Sequence, residues 1–182
     1  MKPSYADAYI EFLIYFHTVR DYFECHEVME EFWKSRPQDP MRDTYEGLIQ
    51  LAVSLYHHRR GNRAGAVKML SSSMEMMQDE HLEALGIDAT ALREQLVGRL
   101  QLLRLAGLPY TDLELPFRDA ELLAMCRKAA EAAGRGGWGE PSDMSDRFLL
   151  NKHTLRDRTA VRQERELQRE RKRDLRAKRE EA

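Results

Sequence analysis

Residues 47–66 read GLIQLAVSLYHHRRGNRAGA. In the first part, Leu48, Leu51, Ala52 and Leu55 recur at helical spacing, and Tyr45, Ile49 and Tyr56 widen that apolar stripe. Glu46, Gln50, Ser54 and His57 form a narrow polar stripe, with His58 bordering the apolar one. Polar arcs of helices usually face water, so periodicity predicts a solvated stripe; the alternative is a polar pocket shared with a neighbouring helix. Gly61 and Asn62 then end the helix and start the next, because Gly tolerates the left-handed C′ conformation and Asn caps a helix N-terminus. Gly65 and Ala66 are small enough to admit a second helix closely. The stretch therefore specifies helix, tight corner, helix.

The same pattern continues on both sides. Upstream, a helix is predicted over about Ser4 to His17, with Ser4 as N-cap and Tyr9, Phe12, Leu13 and Phe16 on one face. A second runs from about Val19 to Lys34, and SRPQDPM breaks the chain after it. The helix containing GLIQ begins at DTYE, where Asp43 and Glu46 have the spacing of a capping box. Downstream, helices are predicted over about Arg63 to Gln78, Ala89 to Leu105 (capped by Asp88) and Phe117 to Ala133 (after Pro116). PYTDLELP and GRGGWGEP are loops. The fold class is all-α, a compact antiparallel bundle of about five to six helices with a charged C-terminal extension. The expected organisation is a helical domain over 1–108, an added loop and helix over 109–135, and a Gly-containing linker and charged tail over 136–182.

Composition narrows the functional class. Of the 29 basic and 31 acidic residues, 12 and 7 lie in residues 151–182, so an acidic body precedes a basic tail. Two cysteines, Cys25 and Cys126, are too few for a disulfide framework or zinc knuckle and suit a reducing, cytoplasmic setting. No apolar run approaches the roughly 18 residues that span a bilayer, and MKPSYADAYIEF lacks a signal-peptide core. In the tail, Leu155, Val161, Leu167 and Leu175 are too sparse for a coiled-coil seam, while Glu166/Arg169 and Glu170/Arg173 can pair. A solvated tail is favoured over nucleic-acid contact through residues 151–182, given seven acids and no aromatic after Phe148.

The chemistry-bearing stretch is YFECHEVMEEFW, Tyr22 to Trp33. At 100° per residue Val19, Tyr22, Phe23, His26, Met29, Glu30 and Trp33 share an arc, with His26 near its centre and Glu30 one turn on. Glu27 lies at the margin; Glu24 and Glu31 point outward. His26 with Glu30 is either a satisfied core pair or half of a metal or acid/base site. HEVME is not the zinc signature H-E-x-x-H, because Glu30 stands where its second histidine should be.

The combination Phe-Glu-x-His-Glu at residues 23–27 with Trp33, then Gly-Leu-Ile-Gln at 47–50 and Gly-Asn-x-x-Gly-Ala at 61–66, resembles the prokaryotic family called domain of unknown function number three-zero-nine. The resemblance covers about residues 16–72 and extends through LGIDATALREQL. It maps onto Phe23, Glu24, His26, Glu27, Glu30, Trp33, Gln50, Gly61 and Asn62, with His57 or His58 as the third-helix histidine. It implies a compact helical domain and names no reaction, cofactor or oligomeric state. It also weights the His26/Glu30 pair toward function. The leading expectation is a polar pocket for a small ligand or metal. His26 and Glu30 are candidate acid/base or ligating groups, Phe23, Glu27 and Trp33 flank them, and Gln50 and His57 or His58 close the far side. The competing expectation is a scaffold protein in which the His/Glu set is structural.

Overall fold

A computed structural model describes residues 5–105, 109–135 and 137–155. The expected Ser4 cap and the tail pairs lie outside these residues. The described residues form eight helices and one isolated antiparallel bridge, Ile87 to Phe117. The fold is all-α. The chain divides into a unit over 1–150 and a second over 151–182, of which Asn151–Leu155 are described.

Helix α1 (Asp7–His17) buries Tyr9, Phe12, Leu13 and Phe16, the face expected from their spacing. α2 (Tyr22–Ser35) starts three residues later than periodicity predicts. The cause is Arg20, which takes a left-handed conformation with φ +54°. That turn carries its guanidinium into the core, where Nε donates to the Glu140 carbonyl (2.8 Å) and Nη1 to those of Phe16 and Leu113 (3.0 Å each). Nη2 pairs with Glu114. Asp21 then caps α2 by accepting the Glu24 N–H at 3.1 Å.

α3 (Arg42–Arg59) corrects the capping-box expectation. Asp39 accepts the Met41 N–H at 2.9 Å, so the helix is already under way at Asp43. Asp43 makes no cap; it lies in the first turn, where a carboxylate complements the helix dipole. The corner at Gly61 and Asn62 forms as the residues predict: Gly61 has φ +76°, and Asn62 Oδ1 accepts the Gly65 N–H at 2.9 Å to open α4 (Arg63–Met76). α4 lies so close to α3 that a Cβ on Gly47 would sit 2.5 Å from Met77 Cγ.

The short α5 (Asp79–Ala84) was not expected from the pattern. α6 (Ala89–Arg104) is capped by Asp88 as predicted. α7 (Ala120–Ala132) starts after Asp119 rather than Pro116, because the Asp119 carboxylate accepts the N–H groups of Glu121 and Leu122. α8 (Arg147–Leu155) leaves helical geometry at Asn151. α3 packs between α2 and α4, α1 lies on α2, α6 on α4, and α7 on α1.

Two positions yield measurable expectations. Gly98 lies inside α6, and a Cβ there would meet nothing within 4 Å. Gly98→Ala should therefore raise stability by about 1 kcal/mol through helix propensity, read from denaturant midpoints. His17 is fully buried, with Nδ1 against the Leu13 carbonyl (2.9 Å) and Nε2 accepting the Leu115 N–H (3.1 Å). Trp138 stacks on its ring at 4.8 Å. Burial pushes the imidazole down to about 3, with Arg20 adding to the effect and the Leu13 hydrogen bond opposing it. Glu114 lies 3.8 Å from Nε2, but a nitrogen that accepts an N–H carries no proton, so the ring is neutral. The unfolded histidine binds a proton below about 6.5. The stability that His17 contributes is thus complete above that value and falls as pH drops toward 3, by up to about 1.4 kcal/mol per unit. His17→Gln should flatten that slope in urea titrations between pH 6.5 and 4.

Candidate functional site

The inward face of α2 is led by Tyr22, Cys25 and Met29, each fully buried. Cys25 Sγ lies 3.6 Å from the Phe12 carbonyl on α1. The inward arc is therefore turned by about one residue from the one expected. His26 lies at its margin rather than its centre, with 32 % of its side chain exposed, and Val19 is exposed before the helix begins.

That margin gathers the three groups that carry chemistry. His26 Nδ1 is 3.3 Å from Glu27 Oε1, and Glu30, one turn on, pairs with Lys34 Nζ at 3.0 Å. One potential ligand atom from each of His26, Glu27 and Glu30 lies within 4.8 Å of the others. The i, i+1, i+4 spacing accounts for this: residues one turn apart share a helix face, and a flexible Glu reaches in from the side. Ligands about 2.1 Å from a common ion would be about 3.4 Å apart, so ordinary side-chain rotation closes the set. All three groups are half-buried, which leaves the cluster open to solvent.

The aromatic expectations fall on either side. The Phe23 ring is 6.4 Å from that of His26 and 6.3 Å from that of Tyr56 on α3. Trp33 is covered by the Arg42 guanidinium at 3.6 Å, and Arg42 Nη1 also donates to the Trp33 carbonyl at 2.6 Å. The indole Nε1 is buried with no hydrogen-bond partner among the described residues.

The polar stripe of α3 borders α4: Ser54 is buried there, while Glu46, Gln50 and His57 are half-buried. Ser54 Oγ donates to the Ala66 carbonyl at 2.8 Å, and Gln50 Nε2 approaches Met76 Sδ at 3.2 Å. Gln50 Oε1 is buried without a partner among the described residues. His57 Nδ1 contacts the Asn62 amide at 3.1 Å in the corner; burial and then Arg60 lower its pKa. His58 meets the Tyr110 ring edge-on at 5.3 Å and lines a different cavity. The contacts of Gln50 and His57 thus lie within α3, α4 and the corner between them, and the His58 ring meets Tyr110.

Sequence reasoning missed a polar network beneath the corner. Asp112 accepts from Tyr22 Oη (2.8 Å), Tyr110 Oη (2.6 Å), Ser142 Oγ (2.6 Å) and the Ser142 N–H (2.7 Å). Those hydrogen bonds hold its carboxyl below the usual range against the opposing effect of burial. Arg59, also buried, donates to the Arg20 carbonyl and to Ser142 Oγ. The density of Tyr, Thr and Asp in PYTDLELP is the sequence signal that this loop is tied down.

The family model described as "Domain of unknown function (DUF309)" matches residues 9–69, which span α1 to the middle of α4. "Uncharacterized protein YpuF" of Bacillus subtilis (strain 168) is 42% identical over 174 residues, covering 94% of this chain and 99% of that protein. The chain belongs to this family. Because the DUF309 match stops at residue 69 and the similarity to YpuF runs nearly end to end, YpuF shares the extension beyond the family core. No solved structure matches the chain. Among the described residues, no helix is long and apolar enough to cross a membrane.

Proposed function

We propose that the protein binds a divalent metal ion through His26, Glu27 and Glu30. The observation that carries this reading is the approach of one imidazole and two carboxylates to within 4.8 Å on a solvent-open helix margin. One borderline nitrogen and two hard oxygens suit Mn²⁺, Fe²⁺ or Zn²⁺ better than thiophilic ions. Three protein ligands would leave coordination positions for water or a substrate oxygen, the arrangement of metal sites that do chemistry. Lys34 would then stay paired with the Glu30 oxygen that faces away from the ion.

A purely structural role for the pair has less support. The polar contacts of His26 and Glu30 lie within α2 itself, so they do not tie one helix to another. The two buried free thiols support a reducing, cytoplasmic setting. We read 1–108 as the family domain, 109–135 as an added loop and helix, and 136–182 as linker and tail. The seven acids of the tail argue against a nucleic-acid role.

The test is calorimetric titration of the untagged protein with Mn²⁺, Fe²⁺ and Zn²⁺. The expected result is one saturable site per chain for at least one of them. Heats no larger than those of dilution for all three would overturn the proposal.

A further inference from the structure

A cavity lies at the C-terminal end of α3. The α3–α4 corner, α6 and the segment that begins at Pro109 enclose a cavity of about 980 Å³, at the upper end of small-molecule pockets. Leu103 and Leu113 form a buried wall. Leu102, Leu105 and Met144 also line it, yet remain 51 %, 63 % and 51 % exposed. Apolar surface of this kind is left in water unless something covers it.

The charged groups around the cavity are unbalanced. Arg59, Arg63 and Arg99 line it against one carboxylate, Glu94. None of the three arginines forms an ion pair among the described residues. Arg99 is held in place by the Thr111 carbonyl (2.8 Å) and the Asp112 carbonyl (3.0 Å), and the Asp112 carboxylate acts on its charge from nearby without a direct ion pair. Arg59 is only 4 % exposed, and its Nε has no hydrogen-bond partner among the described residues. The Asp112 carboxylate reaches Arg59 through the Ser142 hydroxyl and not directly, so a bound anion would supply the direct charge partner that a buried guanidinium favours.

Gly98 is the third observation. It lines the cavity from the interior of α6, where Gly is a poor helix former, and a Cβ there would meet only open space. Packing does not require a glycine at this point; a cavity kept open does.

We infer that this cavity binds a small amphipathic anion, with an apolar acyl or aromatic body against the leucines and a carboxylate or phosphate head among Arg59, Arg63 and Arg99. The three guanidiniums outnumber Glu94 and disfavour a cationic head. The site is separate from the His26 cluster and does not depend on it.

The full-length protein would be titrated calorimetrically with decanoate, decyl phosphate and decyltrimethylammonium, and sedimented with anionic phosphatidylglycerol vesicles. Both anions should bind at one site per chain, at least tenfold more tightly than the cation. Gly98→Leu, which fills the cavity, and Arg63→Glu, which alters only an exposed side chain, should each weaken anion binding tenfold or more with unchanged circular dichroism. His26→Ala should leave it unchanged. The inference is overturned by equal binding of the cation, by no binding of either anion, by vesicle binding without monomer binding, or by wild-type affinity in folded Gly98→Leu.

Discussion

Arg20→Met should lower the free energy of unfolding by about 3–5 kcal/mol, measured by urea denaturation at pH 7. The replacement keeps the length of the side chain and removes its donors. Two buried carbonyls, those of Phe16 and Leu113, then lose their partner, each at a cost of about 1–3 kcal/mol before any relaxation, and the part-buried Glu140 carbonyl loses one too at a smaller cost. Glu114 is half-exposed and recovers its solvation, so its ion pair adds little. The positive φ of Arg20 adds a steric cost that only the buried guanidinium offsets. Because those carbonyls belong to α1, to the loop after Pro109 and to the segment after Trp138, the substitution should loosen the extension along with the first helices. A loss below 1 kcal/mol would show that the guanidinium is dispensable to the fold.

The second large effect is on binding. His26→Ala should reduce metal affinity by about 100-fold or more, since it removes the only imidazole from the cluster. The melting temperature without metal should move little. The side chain is at the helix margin, its polar partner Glu27 is the next residue, and Ala is a better helix former than His. Glu30→Gln should weaken binding too, because an amide is a poorer ligand than a carboxylate. Equal affinity in wild type and His26→Ala would move the site elsewhere. A collapse in stability without metal would instead favour a structural histidine.

Helical periodicity made the bundle legible because it depends on local patterns that tertiary packing reinforces. The stripe Leu48, Leu51, Ala52 and Leu55 is the buried face of α3, and Gly61-Asn62 is the corner. Where local rules failed, a competing partner had taken over, close in sequence for α3 and distant for α2. Asp43 does not cap α3 because Asp39 had already fixed the preceding turn. α2 starts late because Arg20 is drawn into the core by carbonyls from residues 113 and 140, separations no window on the sequence can see. The same limit applies to the site. Adjacency of His26, Glu27 and Glu30 follows from spacing on one helix. The fate of Gln50 and His57 does not, because which neighbour covers the polar stripe of α3 is decided by packing: α4 presses against Gly47 and accepts from Ser54. The arginine-rimmed cavity was equally hidden, since Arg59, Arg63 and Arg99 come together only when α6 folds back along α4.

The most direct measurement is elemental analysis of the untagged protein, as purified and after dialysis against Mn²⁺ or Zn²⁺, beside His26→Ala carried through the same steps. Close to one metal ion per wild-type chain is expected, and near none in His26→Ala. No metal in the dialysed wild type, or equal metal in both proteins, would contradict the proposed site.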